Sequence, residues 1–519
     1  MTRSKRRAST APASARLGRI VPMVLLTFLV VALLLPAGMA VGPGFLGPDR
    51  SPEPVAAGPW QQLPATLSAP DAGGPGGGAR PLSDAAPVPD AAALAGQLDA
   101  TLKADGAGSF TGVVQDAVTG EVLFDRGGDE VRAPASNIKL LTAAAALRTL
   151  GPDRRFSTKA VAGTAPGTVV LTGGGDVLLG AGESAPDAVL GHAGLATLAQ
   201  STVQGLQQDG VSGPVTVLLD DTLFTGPPLS PAWSPEDVAA GEVAPLFPLA
   251  LNSARFEPGT TTGPRPRDAA MAAAEAFAAR LTAAGAAAGI TVTPGVARVP
   301  ATEKAPEKTP EKAPEKAPGD AGSQAGGRAG KVLAQVESAT VGQQVDLLLR
   351  TSDNYLTEVM GRMVAAASGK PASNDGAVAA VLQQLEELKI PSATLRAADL
   401  AGLTLANQVS ARQLSAVVRA MTTGADSRLR SALAGFPVAG LTGTLGSRYT
   451  DTSTARGAGL VRAKTGTLNT VIALSGYVVD ADGRLLVFSF IGNNLTPGAA
   501  GNKAALDRTA SALAACGCR

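Results

Sequence analysis

The sequence predicts an α/β fold of the α+β kind, an antiparallel sheet flanked by helices, and three observations predict it. A helical pattern over 90–105 leads into a hairpin pattern over 110–124, an apolar Ala- and Leu-rich helix follows Ser136, and a strand–turn–strand alternation spans 461–491. Taken in order, Leu94, Leu98 and Leu102 recur at helical spacing between Asp90 and Asp105. Phe110 to Gln115 and Glu121 to Phe124 flank Asp116-Ala117-Val118-Thr119-Gly120, which reads as the turn of a hairpin. Ala133-Pro134-Ala135-Ser136-Asn137-Ile138-Lys139 then opens a helix through Leu147 that Gly151 closes, with Lys139 one turn after Ser136 on the same face. Val341 to Arg350 and Tyr355 to Ala367 read as two helices broken at Thr351-Ser352-Asp353-Asn354, and Glu358 favours the first turn of the second. Val461 to Thr467, Val471 to Val479 and Leu485 to Ile491 read as strands, the last two joined by the turn Asp480-Ala481-Asp482-Gly483.

Rare residues narrow the chemistry. His192 is the only histidine, and Cys516 and Cys518 are the only cysteines. A Ser-His-Asp or Cys-His mechanism would have to run through His192, which reads as an ordinary surface or satisfied core residue. Zinc sites built from several His or Cys ligands cannot be assembled, so a hydrolytic base is a carboxylate or a lysine. The cysteines, one residue apart, can pair only in a small strained loop and are no staple for the core. A net charge of +1, with no basic stripe interleaved with aromatics, excludes a dedicated nucleic-acid binder. With 3 % aromatics, the cores must be built from Ala, Val and Leu.

Arg3, Lys5, Arg6, Arg7, Arg16 and Arg19 precede an apolar run from Ile20 to about Leu35 and the small residues Pro36-Ala37-Gly38-Met39-Ala40. Residues 1–41 read as a signal peptide or, if retained, a signal anchor, and either places the bulk of the chain outside the cytoplasm. Residues 42–89 are crowded with Pro, Gly and Ala and read as a flexible tether. Residues 301–330, with Pro306-Glu307-Lys308 and its repeats, read as a solvated loop.

Ser136 and Lys139 stand at the spacing a lysine-activated nucleophile needs. A serine hydroxyl attacks well only when a base within hydrogen-bond reach takes its proton, and i,i+3 on a helix supplies that reach. Burial and a second cation each lower a lysine's pKa enough for it to serve. Ser352-Asp353-Asn354 occupies the inter-helix turn, and Lys464-Thr465-Gly466-Thr467 enters the sheet, where Gly466 lets a substrate backbone come close.

All three motifs occur in a fixed order, in helix, turn and strand context. The chain resembles the serine penicillin-recognising superfamily, and within it the low-molecular-mass class C D-Ala-D-Ala carboxypeptidases of peptidase family S13. The 213 positions from Lys139 to Ser352 are the specific pointer, because they make room for a domain inserted between the first two motifs. Leu171-Thr172-Gly173-Gly174-Gly175-Asp176, Leu218 to Phe224 with Trp233, and Leu251-Asn252 resemble the family's recurring segments. Ala244-Pro245-Leu246-Phe247-Pro248 departs from its Tyr-rich stretch, and the 301–330 loop is an addition. The inserted pair Asp220 and Asp221 reads as cap or turn residues, and Arg267 to Ala287 as helical packing.

The resemblance implies a serine β-lactamase/DD-peptidase-like domain, residues 90–155 and 331–519, with a mixed α/β domain, 156–300, inserted. It makes Ser136 the acylated nucleophile, Lys139 its base and Ser352 the relay to the leaving amine, while Asn354 holds the substrate amide. Lys464 depresses the pKa of Lys139 and, with Thr465 and Thr467, attracts the terminal carboxylate, and the backbone N–H groups of Ser136 and Thr467 form the oxyanion hole. Gly440 to Arg448 lines the same cleft. No metal or cofactor is implied. The substrate is a peptidoglycan stem peptide ending in D-Ala-D-Ala, β-lactams are inhibitors, and the site of action is the cell wall. Cross-link cleavage as an endopeptidase is a second implied activity. A catalytically quiet penicillin-binding sensor or a β-lactamase-like hydrolase are the alternatives.

Overall fold

The computed structural model describes residues 82–83, 85–261, 263–299 and 329–517. The expectations for the leader, for the tether up to 81 and for the Pro-Glu-Lys loop fall outside these residues. No helix among those described is long and apolar enough to cross a membrane.

A five-stranded antiparallel sheet joins the two ends of the described chain, in the order Arg462–Leu468, Val471–Val479, Leu485–Asn493, Ser109–Asp116, Val122–Arg126. Pleating sends alternate residues to opposite faces. Phe110, Val114, Leu474, Phe488 and Phe490 pack with Leu94, Leu98, Leu506 and Leu513 of the terminal helices Ala91–Thr101 and Ala499–Ala515. Val113, Ala473, Val487 and Ile491 turn to the other face, against the helices Lys139–Leu150, Val341–Thr351, Asn354–Ala367 and Ala411–Thr422. At one end of two interior strands of this sheet the buried Arg484 guanidinium pairs with Asp116, whose carboxyl is lowered by that bond and charge despite its burial.

Lys139–Leu150 is the central helix. Every residue from Lys139 to Leu147 is buried, as expected of a helix apolar on all sides. Gly151 ends it at φ 82, a left-handed backbone that favours glycine.

A second sheet runs in the order Ala297–Arg298, Gly213–Asp220, Thr168–Thr172, Ser157–Ala162, Val332–Glu337, with Ile290–Val292 beside Gly213–Asp220. It is mixed, parallel around Gly213–Asp220 and antiparallel on either side of Ser157–Ala162. Helices Leu195–Gln208 and Ala269–Gly285 cover it, the latter through Ala270, Ala273, Ala274, Phe277 and Leu281, which is the expected packing role.

One boundary needs correction. A division after residue 330 groups Val332–Glu337 with the DD-peptidase segments, yet this strand pairs with Ser157–Val161 and buries Ala334 and Val336 in the second sheet. Alternating burial and backbone pairing hold it there, and the chain returns to the first core only at Ser338–Val341, where the N–H groups of Ser338 and Val341 donate to the carbonyls of Phe156 and Arg154. Cys516 is buried after the last helix and disulfide-bonded, while Cys518 lies outside the described residues.

Candidate active site

Ser136 sits in a short 3-10 turn, Ala135–Ile138, that feeds the central helix. The strand Arg462–Leu468 abuts this turn through Gly466, where a Cβ would lie 2.7 Å from Pro134 O and 3.2 Å from Asn137 N. The turn that carries Ser136 thus itself needs a residue without a side chain at Gly466. Asn137, buried just after Ser136, completes the join: its amide nitrogen donates to Lys464 O at 2.8 Å, and its oxygen accepts from Leu474 N at 3.2 Å.

Lys139 Nζ donates to Ser136 Oγ at 2.8 Å, to Asn354 Oδ1 at 2.7 Å and to the Ala401 carbonyl. In a neutral amine, two fixed acceptors for the two N–H groups would leave the lone pair facing Ser136 Oγ. Burial lowers the Lys139 pKa to about 8, against the opposing charges of Asp399, Glu358, Asp353 and Glu242. Burial is the leading cause of this shift, and the charge repulsion between Lys139 and Lys464 acts on both lysines. Lys464 is itself held well below the usual lysine value, by burial first and by the charge of Lys139 second.

Helix Val341–Thr351 ends at Ser352, whose φ of 60 turns the chain sharply so that Asp353 can cap the next helix through Leu356 N at 2.9 Å. That turn sets Ser352 Oγ 2.9 Å from Lys464 Nζ, which also donates to Thr465 O at 2.8 Å. Asn354 follows directly. Its Nδ2 donates to Glu242 O at 2.9 Å, so a substrate amide would compete with Glu242 for that group. Of the Gly440–Arg448 stretch, Thr444 reaches the site, with its hydroxyl 2.7 Å from that of Thr465.

Ser136, Asn354 and Glu242 line two adjoining clefts. One of about 580 Å³ continues past Thr467, Gly402 and Asn469. The other, about 370 Å³, contains Ser352, Asn252 and Arg255. Thus Ser136, Lys139, Ser352, Asn354, Lys464 and Thr465 form one connected hydrogen-bonding and packing group, and Thr467 shares its cleft.

Sequence reasoning missed the loop that supplies Ala401 O. Glu358, expected at a helix start, instead points into the core and accepts from Leu400 N at 2.8 Å and Ala401 N at 2.7 Å. Burial, and then the charge of Asp399, push its carboxyl up to about 8. Asp399 accepts from Gly402 N at 2.7 Å, Trp233 Nε1 at 3.0 Å and Asn407 Nδ2 at 2.8 Å. Gly402, at φ +87, has no room for a side chain, since a Cβ would stand 2.1 Å from Ala135 O. The clustered turn residues Gly402 and Asn407 were the available signal. His192 takes no part here, being bonded to Arg155 and to the Ala188 carbonyl. Asp220 accepts from Thr222, the turn role expected of it, whereas Asp221 pairs with Arg298, distant along the chain, instead of capping or closing a turn.

The sequence model of the D-Ala-D-Ala carboxypeptidase 3 (S13) family matches residues 94–298 and 311–513. The chain belongs to this family. It is a serine-type D-Ala-D-Ala carboxypeptidase, as the family and its named relatives establish. A carboxypeptidase of Mycobacterium tuberculosis is 35% identical over 414 residues, which cover 79% of this chain and 81% of that protein. A D-alanyl-D-alanine carboxypeptidase of an Actinomadura species is 29% identical over 433 residues, 73% of this chain and 77% of its own. The crystal structure of penicillin binding protein 4 from Haemophilus influenzae shares the fold, with a TM-score of 0.58 and 19% identity, over 81% of this chain and 98% of that one.

Proposed function

We propose that Ser136 is the acylated nucleophile and Lys139 its general base, in an enzyme that trims D-Ala-D-Ala-terminated stem peptides of peptidoglycan. The observation that carries this reading is the 2.8 Å approach of Lys139 Nζ to Ser136 Oγ, by a lysine whose pKa burial lowers to about 8. Neutral Lys139 takes the hydroxyl proton as Ser136 Oγ attacks the carbonyl of the penultimate D-Ala. The backbone N–H groups of Ser136 and Thr467 receive the oxyanion. The proton that Lys139 took passes through Ser352, which Lys464 backs, to the leaving amine; this restores neutral Lys139 as D-Ala departs. Water then attacks the acyl-serine, with Lys139 again as base.

Lys464, Thr465 and Thr467 hold the terminal carboxylate, the lysine by charge and the threonines by hydroxyl donation. Asn354 orients the substrate amide once Glu242 yields. A β-lactam acylates the same serine. The segment carrying the second sheet acts as an inserted domain, and the N-terminal 41 residues direct export and can anchor the enzyme at the membrane beside the wall.

The test is release of D-Ala from an N-acylated peptide ending in D-Ala-D-Ala. One D-Ala is expected per peptide cleaved, with no release from the L-Ala-L-Ala counterpart. Equal hydrolysis of both stereoisomers would refute the substrate assignment, and turnover of a chromogenic cephalosporin without D-Ala release would favour a β-lactamase.

A further inference from the structure

A second concavity, of about 410 Å³, lies where the chain crosses from the first core to the second sheet. Arg154, Arg155 and Lys159 line it together with Gly173, Gly174 and, opposite, Asp220. Three cations thus converge on a space with a single carboxylate in its wall, and one oxygen of that carboxylate already accepts from the Thr222 N–H and hydroxyl, at 3.1 and 2.7 Å. Arg155 is fixed in place, its Nη1 within 2.7 Å of both His192 Nε2 and Ser338 O. The side chains of Arg154 and Lys159 have no hydrogen-bond or ion-pair partner among the described residues, whereas Arg148, Arg298, Arg412 and Arg428 each pair with carboxylates. Glu337 stands opposite Ser157 on the neighbouring strand and pairs with neither cation.

Like charges gathered in a cavity repel one another, and a bound anion relieves that repulsion. Guanidinium forks and an ammonium suit a group with several acceptor oxygens at fixed angles, which is the chemistry of a phosphate. Gly174 packs directly on the Ser157 backbone, where a Cβ would meet Ser157 O at 2.1 Å. Ser157, Thr172 and Thr222 add hydroxyls to the lining, and the remaining oxygen of Asp220 is an acceptor suited to hydroxyl groups and hostile to a second anion. At about 410 Å³ the cavity falls within the size range of small-molecule pockets and has room for more than a phosphate.

We propose that this cavity binds a phosphorylated saccharide, with the phosphate against Arg154, Arg155 and Lys159 and the sugar hydroxyls toward Asp220. Such a site would hold the enzyme on a phosphate-bearing glycan through residues separate from Ser136 and its partners.

Calorimetric titration of the full chain with glucose 1-phosphate, inorganic phosphate and glucose tests it. Glucose 1-phosphate is expected to bind at one site and more tightly than either fragment. The doubly substituted R154S/K159S protein should bind it at least about tenfold more weakly, as loss of charge-assisted bonds dictates. Penicillin acylation of that variant, which does not involve the cavity, should be unchanged and reports on its folding. Asp220→Asn provides a second variant, expected to tighten inorganic phosphate by removing the carboxylate's repulsion while narrowing the advantage of glucose 1-phosphate over it. Undetectable or variant-insensitive binding overturns the proposal. Inorganic phosphate binding as tightly as the sugar phosphate overturns its saccharide part, and tighter binding to vesicles bearing phosphoinositol headgroups would assign the phosphate to a lipid instead.

Discussion

Lys139→Met is expected to slow acylation of the protein by benzylpenicillin by about 10²–10⁴-fold, the range a general base contributes. The side chain is of similar length and apolar, so the core around it keeps its packing while the proton acceptor is gone. The pH dependence separates this role from a merely structural one. In the wild type the acylation rate should rise with pH and level off above about 8, as the Lys139 ammonium loses its proton. The variant's residual rate should be flat through that window. Rapid-quench kinetics across the pH range checks both, and a variant that retained the wild-type profile would remove Lys139 from the mechanism.

Glu358→Ala carries the second large effect. The substitution leaves the N–H groups of Leu400 and Ala401 without their acceptor in a dry core, at a cost of about 1–3 kcal/mol each. It also frees the loop whose carbonyl aims Lys139, so acylation should fall by roughly tenfold or more beyond any loss of stability. Glu358→Gln keeps an acceptor oxygen and resembles the protonated carboxyl that predominates below about 8, and its acylation rate should stay near that of the wild type.

Linkage gives a further readout for this pair. The folded-state pKa of Glu358 is raised, so between the ordinary 4.5 and about 8 the folded protein holds a proton that the unfolded chain has lost. The contribution of Glu358 to stability is therefore full below that window and is lost as pH rises through it. Asp176, pushed up to about 7 by burial, slopes the same way, so the difference between wild type and Glu358→Gln isolates the residue. Denaturant unfolding from pH 4.5 to 8 should show the wild type losing stability relative to Glu358→Gln as pH rises, and a pH-independent difference would contradict the burial account.

What the sequence made legible was local. The hairpin within 109–126, the buried helix after Ser136 and the break at Ser352 each follow from periodicity and turn chemistry inside a short window. The three motifs carried Ser136, Lys139 and Lys464, which the structure brings together, because their spacing and order are themselves sequence properties. What stayed illegible depends on partners distant along the chain. Glu358 looks like a helix-start acid until its backbone partners more than forty residues on are seen. Asn137 looks like one more polar residue beside Ser136, yet it ties the turn that carries Ser136 to strands more than three hundred residues away. Val332–Glu337 has ordinary strand alternation, and nothing in that pattern says which of two sheets it will join. Gly466 has the same ambiguity, since a close approach can be made by substrate or by the protein itself.

The central claim is that Ser136 is acylated, and mass spectrometry of the penicillin-treated protein tests it most directly. After proteolysis, one covalent penicilloyl adduct is predicted, on the peptide containing Ser136, absent from folded Ser136→Ala and formed far more slowly in Lys139→Met. An adduct on any other residue, or wild-type protein that is folded and stays unlabelled, would contradict the account.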